Sequence, residues 1–146
     1  MSRPQPDFSS LLRAKGLKVT PGRLAVLLAL SKASKPLTVE ELLYRLGNAS
    51  SDQATVYRML NIFRDNRIVR QVDFEHGHAH YELMDATEHH HLVCVSCGRV
   101  EDVSGCDIEK QYSGVLKKHS SFVSIQRHTL ELFGLCRTCE RKSRKQ

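Results

Sequence analysis

The chain has 146 residues, enough for one or two small domains. Hydrophobic residues make up 40% and charged residues 26%, and no apolar run reaches the roughly 20 residues that cross a bilayer, so the expectation is a soluble, cytoplasmic protein with no membrane partner. The net charge of +6 is uneven: Lys and Arg outnumber Asp and Glu 12 to 8 over residues 1–83, trail them 6 to 8 over 84–140, and stand 4 to 0 over 141–146. A basic front and a mildly acidic back fit a nucleic-acid-binding part joined to a different module.

Phe8, Leu11 and Leu12 recur at helical spacing before Gly16, which predicts a short first helix ending at a glycine. Thr20-Pro21 supplies an N-cap and a first-turn proline for a second helix carrying Leu24, Leu27 and Leu28, expected to stop near Lys35-Pro36. Thr38-Val-Glu-Glu41 is a capping box opening a third helix that ends at Gly47. Ser50-Ser-Asp-Gln53 reads as another box, and the helix after it carries Val56, Met59, Leu60 and Phe63 on one stripe. These last two helices have the length and turn chemistry of a helix-turn-helix, with Gln53, Thr55, Tyr57, Arg58 and Asn61 off the stripe and able to reach a groove. Ile68 to Phe74 and Ala79 to Leu83 then flank Glu75-His-Gly-His78 as a hairpin, the wing of a winged helix; an ordinary three-helix domain with a solvated polar face is the alternative.

Beyond a hinge over residues 84–88 the pattern becomes short strands at Leu92 to Val95, Val100 to Val103, Val123 to Ile125 and His128 to Phe133. One helix with Ile108, Tyr112, Val115 and His119 along a face interrupts them. Such a unit buries too little apolar surface alone, so pairing with a second copy is expected. The basic end, 141–146, is expected to be a disordered, solubilising tail. The fold class is therefore α+β: a winged helix-turn-helix domain over 1–83, then a small α/β dimerisation domain over 89–140.

Four cysteines in two pairs, Cys94-Val-Ser-Cys97 and Cys136-Arg-Thr-Cys139, carry the clearest chemistry. Two C-x-x-C pairs supply the closed four-thiolate shell of a structural zinc, here drawn from segments 38 residues apart. A redox motif would want a βαβ setting, and disulfides would want an oxidising compartment, whereas the opening Met1-Ser-Arg-Pro-Gln-Pro6 has no apolar export core. Cys106 has no partner and reads as a small apolar residue. Three consecutive histidines, His89, His90 and His91, stand just before the first pair, and His76, His78 and His80 cluster at the hairpin turn, where solvated surface residues are the simpler reading.

Four motifs together resemble the ferric uptake regulator family of bacterial metal-dependent repressors: Gly16-Leu-Lys-Val-Thr-Pro-Gly-Arg23, Ala54-Thr-Val-Tyr-Arg-Met-Leu-Asn61, His89-His-His-Leu-Val-Cys-Val-Ser-Cys-Gly98 and Gly134-Leu-Cys-Arg-Thr-Cys139. The resemblance runs from about Leu11 to Cys139, with the zinc uptake regulator branch one candidate. It implies a homodimer that binds double-stranded operator DNA when a regulatory metal is loaded. It places Tyr57 and Arg58 in the major groove and Lys15 at the minor groove. Arg can take guanine edges or phosphate, Tyr can pack on a thymine methyl, and Lys suits a narrow A·T-rich groove; a partly core Tyr57 is the alternative.

The resemblance also implies regulatory ligands at Glu82, His89 and His91, with Asp102 a further candidate, and a second metal position formed by His90, Glu109, His128 and Glu88. Many relatives draw a histidine from the turn before the third helix, where this chain has Pro36. Asp102, His78, His80 or water remain open as its replacement. The histidines tilt the regulatory metal toward Zn(II), and Glu82 and Asp102 tilt it back toward Fe(II) or Mn(II). A peroxide sensor of the same family, using Asp102, is a regulatory alternative. A zinc-dependent enzyme is the alternative from another class, but the sequence has no H-E-x-x-H motif and no nucleophile elbow.

Overall fold

A computed structural model describes residues 7–47, 52–84, 89–105, 108–119 and 121–144, with the side chains of Ile108 and Glu109 outside the description. The expected hinge beyond Met84, Glu88 and Cys106 therefore lie outside the described residues, as does the side chain of Glu109. The chain divides into two compact units, Met1–Met84 and Asp85–Gln146.

In the first unit, α1 (Phe8–Ala14) is capped by the Asp7 carboxylate, and α2 (Pro21–Ser31) by the Thr20 hydroxyl with Pro21 in its first turn. Helix α2 stops at Ser31, before the expected Lys35-Pro36. The residues ahead of α3 are instead drawn into a short strand, β1 (Leu37–Thr38), which the sequence reading missed. Two residues show no periodicity, so nothing local marks them as a strand. Helix α3 (Val39–Leu46) has both halves of its capping box: Glu41 N–H donates to Thr38 Oγ1 at 3.1 Å, and Thr38 N–H donates to Glu41 Oε2 at 2.9 Å. Gly47 ends the helix with φ +53°, a conformation that disfavours any Cβ.

Helix α4 (Gln53–Asp65) begins with Asp52 as N-cap, its Oδ1 accepting from Thr55 N–H at 2.9 Å. This corrects the expected cap at Ser50: the carboxylate nearest the helix start takes the first-turn amides, and Ser50 and Ser51 lie outside the described residues. Strands β2 (Val69–Asp73) and β3 (Ala79–Leu83) form the hairpin, and β1 adds to β3, giving the antiparallel order β1-β3-β2. Leu12, Leu27, Leu42, Val56, Leu60, Phe63 and Tyr81 are buried in one core, so α4 is held by the predicted stripe.

The second unit is a three-stranded sheet with β4 (His89–Cys94) at its centre, antiparallel to β5 (Val100–Ser104) and parallel to β6 (Glu131–Gly134). Helix α5 (Ile108–Lys118) lies between β5 and β6 in sequence, and α6 (Arg137–Ser143) follows. The expected strand over 123–125 joins no ladder among the described residues: Phe122 N–H donates instead to the His119 carbonyl at 3.1 Å, and Phe122 and Val123 are exposed. The first part of the expected disordered tail is corrected as well, since Arg141 to Ser143 belong to α6, anchored through buried Cys139, while Lys145 and Gln146 lie outside the described residues. Among the described residues no helix is long and apolar enough to cross a membrane.

Candidate metal centres

The four cysteines converge inside the second unit. Cys94 ends β4, where a tight turn brings Gly98 N–H back to the Cys94 carbonyl at 2.9 Å, with Gly98 at φ +72°. Val95 N–H donates to the Gly134 carbonyl at 2.9 Å, tying this turn to the end of β6, and Cys136 and Cys139 stand at the start of α6. All four sulfur atoms lie within 4.8 Å of one another. The Cys97 and Cys136 sulfurs are 3.8 Å apart, and a tetrahedral zinc with bonds of about 2.3 Å sets its sulfurs about 3.8 Å apart. The residues therefore fit a zinc ion.

The electrostatics point the same way. The Cys136 N–H, 3.3 Å from Cys94 Sγ, and the amides of Cys97 and Ser96 favour the thiolate and bring Cys94 down to about 6. A hydrogen bond with Ser96 lowers Cys139, yet the neighbouring sulfurs and burial outweigh it and hold that thiol up at about 11. Crowded sulfurs resist becoming thiolates together until a cation neutralises them.

On β4 the three histidines alternate. His89 and His91 lie on one side, their rings edge to face with centroids 5.2 Å apart. His91 is fully buried and pairs in register with Asp102 of β5 and Glu131 of β6. Its Nε2 is 3.9 Å from Asp102 Oδ1 and its Nδ1 is 3.1 Å from Glu131 Oε2. His90 faces the other way, its Nε2 3.1 Å from His128 Nε2, and the His128 ring also meets Tyr112 edge to face. Of the four residues expected at the second position, the described structure thus brings His90 and His128 together.

Glu82 lies on β3 in the first unit, where its carboxylate pairs with the Arg70 guanidinium directly across the ladder. The hairpin histidines separate: His76 and His78 are exposed, but His80 is buried at 9% exposure against Phe74, with ring centroids 4.7 Å apart. This departs from the surface cluster expected, because His80 lies across the ladder from Val72 and its ring packs against Phe74 on the face of β3 opposite core Tyr81.

The groove-reaching residues are presented as expected of a helix-turn-helix. Gln53, Tyr57, Arg58 and Asn61 are exposed on α4, Tyr57 at 41%, while Thr55 is half-buried. At 41% exposure Tyr57 is open to solvent over part of its side chain, which leaves its outer part able to reach a groove. Arg58 Nη2 donates to Thr55 Oγ1 at 3.1 Å, and that hydroxyl donates to Asp52 Oδ2 at 2.8 Å, so one chain of bonds steadies the guanidinium. Lys15 is exposed at the end of α1.

Glu131 escaped the sequence reading. It stands 40 residues from His91, beyond any local spacing rule, and the available signal was a single acid within the apolar run Leu130 to Phe133.

Residues 14–133 match the ferric uptake regulator family model. The chain is 36% identical to the ferric uptake regulation protein of Escherichia coli K12 over 133 residues, 89% of this chain and 88% of that one. The crystal structure of the Vibrio cholerae ferric uptake regulator superposes with a TM-score of 0.75 at 37% identity, covering 89% of this chain and all of the other. The Pseudomonas aeruginosa ferric uptake regulator with manganese gives 0.73 at 32% identity, covering 90% and 99%. The chain accordingly belongs to the ferric uptake regulator family of metal-responsive transcriptional regulators.

Proposed function

We propose that this protein is a homodimeric repressor of metal-uptake genes that binds an A·T-rich inverted-repeat operator when its regulatory metal is loaded, acting in the cytoplasm and not as an enzyme. The observation that carries the reading is the alternation on β4. It gives His89 and His91 one face with Asp102 and gives His90 the other with His128, so two separate sets of side chains of ligand type lie on opposite faces of β4.

In this reading Cys94, Cys97, Cys136 and Cys139 hold structural Zn(II). Glu82, His89, His91 and Asp102 bind the regulatory ion, with Asp102 replacing the histidine that Pro36 removes, and His90, His128 and Glu109 form the second position. The regulatory ion, Zn(II), Fe(II) or Mn(II), supplies a charge-dense cross-link between ligands on either side of residues 84–88 in sequence. Occupancy then biases the domains toward a DNA-binding arrangement. Manganese in the Pseudomonas aeruginosa relative supports a site that accepts carboxylates beside imidazoles. Exposed Tyr57 and Arg58 on α4, with Lys15 on α1, support the operator-binding role. For dimerisation the support is the apolar surface of the second unit, where Leu92, Leu132, Phe133 and Val115 are all exposed.

Fluorescence anisotropy on an inverted-repeat A·T-rich duplex, with buffered Zn(II), Fe(II) and Mn(II), tests the proposal. The ion that drives binding at the lowest free concentration is the sensed one. Equal binding with and without every ion would refute metal control.

A further inference from the structure

The geometry points to Glu131 as the residue that sets how His91 presents itself to the regulatory metal, a role that rests on the reading of His91 as a ligand. Three strands place Glu131, His91 and Asp102 side by side in one row, because His91 of β4 is in register with both. His91 is fully buried, Glu131 Oε2 lies 3.1 Å from its Nδ1, and Asp102 Oδ1 lies 3.9 Å from its Nε2.

A carboxylate accepts and cannot donate, so the Nδ1–Glu131 bond requires the proton on Nδ1. A ring that ligates a metal while Nδ1 holds its proton does so through the lone pair on Nε2. With a metal bound, Nε2 and the Asp102 carboxylate can then give electron pairs to the same cation. Glu131 thus does three things from the far side of the ring: it selects the tautomer, fixes the ring plane, and makes Nε2 a stronger donor. A ring free to flip would present Nδ1 and Nε2 alternately and lose the alignment with Asp102. Glu131 is a positioning residue and contributes no atom to the coordination shell.

The test uses the full-length protein with its four-cysteine zinc in place, titrated with Co(II) at the regulatory site. The readouts are the dissociation constant and the visible absorption envelope, which reports ligand number. Glu131→Leu should weaken Co(II) about 10- to 100-fold, the range for loss of such supporting bonds. Glu131→Gln, whose amide oxygen still accepts from Nδ1–H, should recover most of that loss with an unchanged envelope. If Gln is as weak as Leu and the envelope shows one ligand fewer, Glu131 is itself a ligand and the positioning role is overturned. If Leu lowers the melting temperature but leaves Co(II) affinity unchanged, the role is only structural and the proposal likewise fails. His91→Ala is the control on the underlying reading: full Co(II) affinity there would remove His91 from the site and Glu131 with it, whereas failure at Glu131 alone leaves the site standing.

Discussion

Cys136→Ser should release the structural zinc and dissolve the second unit while leaving the first folded. The described residues of the second unit bury little apolar side chain: Val93 is fully buried, Cys94 and Cys139 nearly so, and Leu92, Leu132 and Phe133 remain partly exposed. Full burial of a valine contributes about 1.5–3 kcal/mol. Ordering each residue of a three-stranded sheet costs about 1–2 kcal/mol. Apolar burial within the chain is therefore too small to hold β4, β5 and β6 together, and even a dimer contact needs a formed sheet to present its surface. A closed thiolate site contributes about 10–16 kcal/mol of apparent binding free energy, which is folding free energy when the site forms only in the folded chain. Losing one of four thiolates removes most of that. The first unit has its own core of Leu12, Leu27, Leu42, Val56, Leu60 and Phe63 and should not respond. Zinc content by metal analysis and peptide-resolved hydrogen exchange measure both effects. The expectation is loss of zinc, rapid exchange over residues 89–104 and 131–139, and wild-type protection over 53–65. One zinc per chain with unaltered protection of β4 would refute the reasoning.

Arg58→Ala should weaken operator binding by about 1–3 kcal/mol if the guanidinium reads a base edge, and Lys15→Ala should reduce the slope of log affinity against log salt by about 0.9. Anisotropy over a salt series measures both, and wild-type values in both variants would exclude α4 and α1 from the interface. His89→Ala or His91→Ala should abolish metal-dependent DNA binding with the four-cysteine zinc retained, and His90→Ala should be milder; equal loss at all three positions would show a single undivided site. Burial pushes His80 below its ordinary value of 6.5, against the opposing pull of the His78 backbone and the Glu41 carboxylate and with the help of Lys35 and His76. The unfolded chain therefore takes up this proton first. The contribution is present above 6.5 and lost as pH falls below it. Urea midpoints measured from pH about 7.5 down to about 5.5 should fall less steeply in His80→Phe than in the wild type, and parallel curves would contradict the assignment.

Most of the first unit was legible because its signals are local. Thr20-Pro21 and the Thr38/Glu41 box each act within one turn of the residues they cap, and both appear as read. The Asp52 cap was misplaced by two residues because Ser50, Ser51 and Asp52 are all competent caps, and only the geometry of the chain entering α4 chooses among them. Strand β1 was invisible since its reason for being extended is β3, some forty residues later, where Leu37 pairs with Tyr81 and Thr38 with His80.

The candidate sites divide along the same line. Period-two alternation on β4 could be read from three adjacent letters, and the paired C-x-x-C spacing carried its own chemistry. What could not be read was the company those residues keep across the sheet. The parallel pairing of β4 with β6 is set by the fold of the whole second unit, and that pairing alone brings Glu131 to His91. A residue whose effect passes through another side chain leaves no motif of its own, since its only requirement is to lie opposite the right partner in register. Such residues are where members of one family with the same ligands can differ in metal affinity. In the proposed site, the support that Glu131 gives His91 from behind sets how tightly the ligands hold an ion.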